Sequence, residues 1–464
     1  MKRYDVEPQI TDDRYVGGKA RKTVVYAGQV AEVGRDAKVS LDLSSEFVLL
    51  EVGKRGSGKS YSMGALLEGL ATKNKETSIS KTDQSRGLLL LDPLDVHWTA
   101  MFPVRPNGPE EVRRQYELLS QWPALRVEDV DVAVWMPAGK GAAMDHPGFK
   151  EYFLPVSSFD AGDWAELLRT DMVVEPRGQL LYEVYTKVAE LGWNDGHTHH
   201  PRKSVYGIQD LLDCLSNDQD IQQSGIYAVN TIRSVTQPLQ AYQRLPLFSK
   251  TTGTPLRELI RSGVLSILSL ARLEPDLRTT VTAVIVKAMM KERRDAAFLE
   301  KRLALESLTE ENRRDIQGAK DKYISRSILV LDEAQILLPA EGSSSARKAL
   351  ESFVLEGRNY GLSLWLATQR PSGAISPAAR SQVDIFMIHR LSVREDIAGM
   401  KDALQSDLPT KISCNRKILE FEDLIRGLDT GQAVISSADT QGPSNRAFVA
   451  NIRPRVTCHG GKAF

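Results

Sequence analysis

Gly53-Lys54-Arg55-Gly56-Ser57-Gly58-Lys59-Ser60 reads G-x-x-x-x-G-K-S, the pattern of a phosphate-binding P-loop. Before it runs Phe47-Val48-Leu49-Leu50, with Val52 after Glu51, an apolar stretch that reads as a buried strand. After it, Tyr61-Ser62-Met63-Gly64-Ala65-Leu66-Leu67 has apolar residues at helical spacing. Strand, glycine-rich turn and helix are the context this motif needs, and they argue against a turn that merely ends in Lys-Ser. Glycines let the backbone wrap a phosphate chain because positive φ costs them little. The N–H groups of the turn and of the helix N-terminus then face the anion. The binding positions are Gly53, Gly56, Ser57, Gly58, Lys59, Ser60 and Tyr61. Lys59 is expected to reach the β- and γ-phosphates of ATP, and Ser60 to hold Mg²⁺.

A second signal lies far downstream. Ser327-Ile328-Leu329-Val330-Leu331-Asp332-Glu333 is a buried strand ending in two adjacent carboxylates. Beside a P-loop this reads as a Walker B strand, with Asp332 helping to hold Mg²⁺. Glu333 is placed to act as general base toward the attacking water. Gly361-Leu362-Ser363-Leu364-Trp365-Leu366-Ala367-Thr368-Gln369 is a further buried strand. Its polar tip either senses the γ-phosphate through Gln369 or only bonds the next loop. Arg358, just before this strand, is either a local salt-bridge partner or an arginine finger acting on a neighbouring subunit's nucleotide. Gly87-Leu88-Leu89-Leu90-Leu91-Asp92-Pro93 ends a second apolar strand in a carboxylate. Asp92 is either a nucleotide-site residue or an ordinary strand-end turn.

The totals narrow the class. The chain has 464 residues, with 60 Lys+Arg balanced by 60 Asp+Glu. A net charge of zero argues against a protein that coats nucleic acid over its whole surface, but leaves room for a local basic strip. No apolar run approaches the ~20 residues that span a bilayer, and no apolar segment follows Met1-Lys2-Arg3-Tyr4-Asp5 to make a secretory signal. Cys214, Cys414 and Cys458 are far apart and odd in number, which reads as reduced thiols in a cytoplasmic protein. His197, His199 and His200 cluster in a turn-rich stretch without a Cys or second carboxylate pattern, and read as a surface loop. Residues 1–22 read as a loosely held polar arm. Thr23–Ala27 and Ala37–Leu41 read as short strands, and Val132–Pro137 as a third strand of the core followed by a turn at 138–142.

In its motifs the chain resembles the HerA branch of the HerA/FtsK superfamily of DNA-pumping ATPases. The resemblance is carried by the P-loop, by Leu331-Asp332-Glu333-Ala334-Gln335 and by Glu356-Gly357-Arg358-Asn359-Tyr360-Gly361. Ala367-Thr368-Gln369-Arg370-Pro371-Ser372, Ile388-His389-Arg390-Leu391, Gly431-Gln432-Ala433-Val434-Ile435 and Arg453-Pro454-Arg455 also fit. It implies an α/β fold: a RecA-like P-loop NTPase core with a mostly parallel sheet, assembled as a hexameric ring around double-stranded DNA. It further implies ATP and Mg²⁺ as cofactors, Lys59 and Ser60 at the phosphates and the ion, Asp332 and Glu333 in Walker B roles, Gln369 as sensor and Arg358 as the finger in trans.

On that frame, residues 1–43 form an N-terminal arm with short strands or a reduced barrel. Residues 44–158 and 246–464 form the two parts of the core, and 159–245 an inserted, mostly helical subdomain. Residues 291–322 form a charged helical segment. About forty residues precede the P-loop strand, too few for the full β-barrel with which archaeal relatives dock a nuclease. Bacterial relatives often work beside a separate nuclease or a sirtuin-like NAD-consuming effector in phage defence. This chain carries no such signature of its own, so the resemblance implies a motor with a separate partner. Three rivals stand beside it: an ATP-dependent scaffold that holds an effector without sustained translocation, a secretion or conjugation ATPase, and a P-loop kinase. The paired strand tips suit activation of water better than transfer to a substrate hydroxyl.

Overall fold

Apolar runs buried along their whole length set the architecture, and the computed structural model lays them side by side. It describes residues 1–7, 9–10, 12–34, 37–139, 146–223, 225–249, 251–338, 344–371, 377–404, 409, 411–437 and 447–461. In chain order the first elements are β1 (Asp5–Glu7), β2 (Arg14–Gly17), β3 (Val24–Val30), β4 (Lys38–Asp42), β5 (Val48–Val52) and α1 (Lys59–Leu70). Then come β6 (Ser80–Lys81), β7 (Gly87–Asp92), α2 (Glu110–Ser120), β8 (Val132–Pro137) and β9 (Phe149–Tyr152). The middle of the chain holds α3 (Ala161–Leu168), α4 (Pro176–Thr186), β10 (Trp193–Asn194), β11 (His199–His200), α5 (Ile208–Asn217), α6 (Gln219–Gln223), α7 (Val229–Gln243) and α8 (Leu256–Leu259). It continues with β12 (Leu265–Ser269), α9 (Pro275–Leu305), α10 (Glu310–Lys320), β13 (Ser327–Leu331), α11 (Ala334–Leu337), α12 (Ser345–Glu356) and β14 (Leu362–Thr368). The chain ends with β15 (Ile385–Ile388), β16 (Lys411–Cys414), β17 (Lys417–Ile418), β18 (Gln432–Ser437) and β19 (Phe448–Ile452).

Among the described residues fourteen strands form one sheet, in the order β2-β4-β3-β19-β18-β15-β5-β14-β13-β7-β12-β8-β9, with β6 paired to β3. The run from β15 to β9 is parallel throughout. Parallel strands run as continuous apolar stretches because helices cover both faces. Side chains alternate between those faces. Leu50, Leu89, Leu91, Leu329 and Leu364 enter the core shared with α9, α12 and the helices of 159–245. Leu49, Leu88, Leu90, Val330 and Trp365 enter the core shared with Met63, Leu66 and Leu67 of α1. The order places the P-loop strand β5 between β14 and β15, so the loop that follows it sits among several carboxyl-terminal strand tips.

The first residues depart from the arm expected of them. β1 pairs antiparallel with β16, setting Asp5 opposite Ser413, and β2 runs parallel to β4. Tyr4, Ile10 and Val16 are buried. Through β3 and β19, the strands β2, β4 and β3 extend the central sheet, while β1 belongs to a separate three-stranded sheet with β16 and β17. Alternating burial turns Arg14 and Val16 of β2 inward, and β16, distant in sequence, supplies the partner edge for β1. The segment 159–245 consists mainly of α3 to α7, with a short β10–β11 hairpin. The charged stretch 291–322 comprises the distal part of α9, then α10. Of the turn expected at 138–142, Ala138 and Gly139 are described, and 140–142 lie outside the described residues. Among the described residues no helix is long and apolar enough to cross a membrane.

Candidate nucleotide site

The P-loop is fixed by its neighbours. Gly53 N–H donates to the Thr368 carbonyl (3.3 Å), Lys54 N–H to the Arg390 carbonyl (2.9 Å) and Ser57 N–H to the Lys54 carbonyl (3.1 Å). Two of those acceptors belong to the tips following β14 and β15, so the sheet itself sets the loop's height. Gly58 adopts φ 105 at the N-cap of α1, a conformation that L side chains rarely take. At Gly53 a Cβ would lie 2.7 Å from His389 Cβ, so packing also requires glycine there. Past Gly58, the N–H groups of Lys59, Ser60 and Tyr61 are the first of the helix and have no partner within it. The Ser57 hydroxyl is buried without a hydrogen-bond partner. A glycine cradle, orphan helix donors and an unsatisfied hydroxyl fit a bound phosphate chain.

Asp332 and Glu333 follow β13, two strands away. One Asp332 oxygen, Oδ2, accepts from Ser60 Oγ (2.9 Å) and pairs with His97 Nε2 (2.8 Å), while Oδ1 accepts the Glu333 N–H (2.9 Å). Burial pushes the Asp332 carboxyl up, but the His97 hydrogen bond and charge, with Lys59 and Ser60, outweigh it and hold it below the usual range. Burial opposes charge on His97 too, yet its bond to Asp332 and the nearby Asp92 raise its pKa. An ionised carboxylate beside a P-loop serine is a donor set that suits Mg²⁺.

Glu333 sits at φ 47, ψ 51, a left-handed conformation unusual for a glutamate. Its Oε1 accepts from Gln369 Nε2 (2.8 Å) and lies 3.8 Å from Lys59 Nζ. Gln335 donates to its other oxygen and accepts from Thr368 Oγ1 (2.8 Å). Thus Lys59, Ser60, Asp332, Glu333 and Gln369 converge at one sheet edge. Gln335 and His97 join them, and neither was legible as a site residue.

Arg358 lies elsewhere. It precedes β14, where its guanidinium pairs with Asp384 (2.6 Å) and donates to the Gln382 carbonyl. β14 is seven residues long, which at ~3.3 Å per residue puts Arg358 about 20 Å from the chain's own Gln369. The Tyr61 side chain also turns away from the loop: its hydroxyl accepts the Arg455 N–H (3.0 Å) and its ring meets His459 edge-on. Of Tyr61, only the backbone N–H, in the first turn of α1, remains on the loop side. Asp92 is a strand-end turn residue, accepting the N–H groups of Leu94 (3.0 Å) and His97 (2.8 Å). In the histidine cluster, His200 stacks on Trp193 and bonds Asp195 (3.0 Å). Among the described residues no group of three His, Cys, Asp or Glu is placed to hold a metal ion by itself.

Two buried polar networks support the loop and its helix. Beneath the loop, Glu51 accepts from Trp365 Nε1 (3.1 Å) and bonds His389 Nε2 (2.9 Å). Burial raises the Glu51 pKa, with His389 opposing. Along α1, Glu68 accepts from Arg455 Nε (2.8 Å), Val456 N (2.9 Å) and Thr457 N (3.1 Å). This ties the segment after β19 across α1, over Gly64, where a Cβ would overlap the Arg455 guanidinium.

These features define a P-loop nucleotide-binding fold with a RecA-like α/β core. A VirB4 structure from Thermoanaerobacter pseudethanolicus shares the fold, with TM-score 0.51 and 11% identity over 94% of this chain and 98% of that one. The sequence is HerA-like. It is 24% identical over 299 residues to the "Probable DNA double-strand break repair helicase HerA" of Methanocaldococcus jannaschii, covering 62% of this chain and 52% of the relative. It is 23% identical over 218 residues to the DNA double-strand break repair helicase HerA of Pyrococcus furiosus, covering 45% of this chain and 36% of the relative. The chain thus spans about half, or less, of the length of the curated relatives it matches. No protein-family model matches it.

Proposed function

We propose that the chain is an ATP-driven motor that moves double-stranded DNA through a ring of its own copies, probed below as a hexamer. The observation that carries this reading is the convergence of Lys59, Ser60, Asp332, Glu333 and Gln369 at one sheet edge. The HerA-like sequence supplies the DNA. Lys59 takes the β- and γ-phosphates, and the loop N–H groups with Ser57 take the phosphate oxygens. Ser60 and Asp332 hold Mg²⁺, which when bound neutralises phosphate charge. Glu333 accepts the proton of the attacking water, and Gln369 orients Glu333 and senses the γ-phosphate. Arg358 acts on the nucleotide of a neighbouring copy, since its own site lies about 20 Å away along β14. A separate effector, a nuclease or an NAD-consuming enzyme, completes the reading and links it to DNA processing or phage defence.

The test is steady-state ATP hydrolysis with and without linear double-stranded DNA, Glu333→Gln serving as the blank, alongside particle mass in solution. Several-fold stimulation by DNA in a six-copy particle supports the motor. Turnover indifferent to DNA favours the alternative, a scaffold that uses ATP to hold and regulate an effector.

A further inference from the structure

We infer that His97 is a positioning residue that aims the Asp332 carboxylate at the cation site, an inference that rests on the Mg·ATP reading above. The chain devotes a pinned turn to placing this ring. At the tip of β7, Asp92 accepts the N–H groups of both Leu94 and His97, which folds residues 92–97 back toward β13. Within that turn Asp95 takes φ 55, and its carboxylate is held by Ser269 Oγ and Arg272. The result is a fully buried imidazole whose Nε2 meets Asp332 Oδ2 at 2.8 Å. Because β7 and β13 are adjacent, with Leu91 opposite Leu331, the two strand tips are in fixed register.

A carboxylate gripped at one oxygen can still rotate. Asp332 is gripped at both: Oδ1 by the Glu333 N–H, and Oδ2 by Ser60 from the P-loop side and His97 from the β7 side. Ser60 is itself a ligand for the cation in this reading. His97 is not among the ligands assigned to the cation or the phosphates in this reading; its side chain bonds Asp332, and its contribution is the orientation of that carboxylate. Partners of this kind typically change metal affinity ten- to a hundredfold when removed.

The experiment titrates Mg²⁺ into purified full-length protein with a fluorescent ADP analogue and reads the Mg²⁺ concentration at half-maximal binding. Analogue affinity in EDTA and melting temperature are measured in parallel. His97→Leu is expected to raise the Mg²⁺ midpoint about tenfold while leaving the EDTA affinity within about twofold. His97→Gln, whose amide donates from a similar position, is expected to return the midpoint to within about threefold of wild type. Should the buried leucine unfold the chain, His97→Asn carries the same test, since its shorter amide falls short of Asp332. A midpoint unmoved in the folded variant overturns the inference, as does an equal loss with and without Mg²⁺, which marks a purely structural role. Wild-type protein whose nucleotide binding ignores Mg²⁺ overturns the inference together with the reading beneath it.

Discussion

Replacing Glu68 with glutamine tests how α1 is held. The Glu68 carboxylate is fully buried and accepts from Arg455 Nε, Val456 N, Thr457 N and Thr457 Oγ1, with Arg453 Nη1 at 3.6 Å. Glutamine keeps the shape but removes the charge facing two buried arginines. One of its terminal atoms then becomes a donor pointed at donors. Removing one partner of a buried ion pair costs about 3–5 kcal/mol, because the remaining charge stays buried without compensation. At ~2.1 cal/mol/K per residue, a chain of 464 residues has an unfolding entropy of about 1 kcal/mol/K. The expected fall in melting temperature is therefore about 3–5 °C by scanning calorimetry or circular dichroism. Glu68→Gln melting within about 1 °C of wild type would refute the claim that this carboxylate pins the segment after β19 across the P-loop helix. A larger loss, with nucleotide affinity falling in step, would show that α1 and the loop move as one unit.

Gly64→Ala places a Cβ against the Arg455 guanidinium and is expected to destabilise by about 1–3 kcal/mol; chemical denaturation checks it, and an unchanged midpoint means that Arg455 yields freely. Burial first, then Arg455 and His97, push the His459 imidazole down to about 3. Because that lies below the ~6.5 of an unfolded chain, the unfolded state binds the extra proton and stability falls as pH drops from about 6.5 toward 3, by at most about 1.4 kcal/mol per pH unit. His459→Gln removes that component, so its melting temperature should fall less than wild type's between pH 7 and pH 5; parallel curves would contradict the shift. Lys59→Ala and Arg358→Ala are each expected to lower turnover by at least about a hundredfold. Mixing the two variants should restore activity above either alone, because one supplies an intact site and the other an intact finger; no recovery from mixed rings removes the trans assignment.

The sequence made the phosphate loop and the core strands legible because each is local: a glycine spacing, or an apolar run with a polar tip. The parts it hid depend on partners far along the chain. Residues 1–22 look like a tail because β1 finds its edge at β16, some four hundred residues later. His97 stands in Pro93-Leu94-Asp95-Val96-His97-Trp98 with no periodicity or motif around it, and only the adjacency of β7 and β13 turns it toward Asp332. Glu51 is a charged residue inside an apolar strand, and its partners Trp365 and His389 come from β14 and the tip of β15 respectively. Asp92 was legible as a strand-tip carboxylate, but its role as the hinge of the turn that carries His97 was not.

The polarity of the parallel block explains why the site gathers here and why Arg358 does not join it. β5, β7, β13, β14 and β15 run the same way, so the P-loop, the His97 turn, Asp332-Glu333, Thr368-Gln369 and His389 all emerge on one edge. Arg358 precedes β14 and Asp384 precedes β15, so both fall on the opposite edge, where they pair. A rigid strand about 20 Å long separates the two ends. An arginine so placed has two roles open to it: clasping the β14 and β15 entries within its own chain, or reaching across to another copy. The clasp is directly visible in the Asp384 and Gln382 contacts. It also leaves the guanidinium partly exposed on a surface edge. Loss of turnover in Arg358→Ala by itself fits either role. Recovery of turnover when that variant is mixed with Lys59→Ala fits only the second.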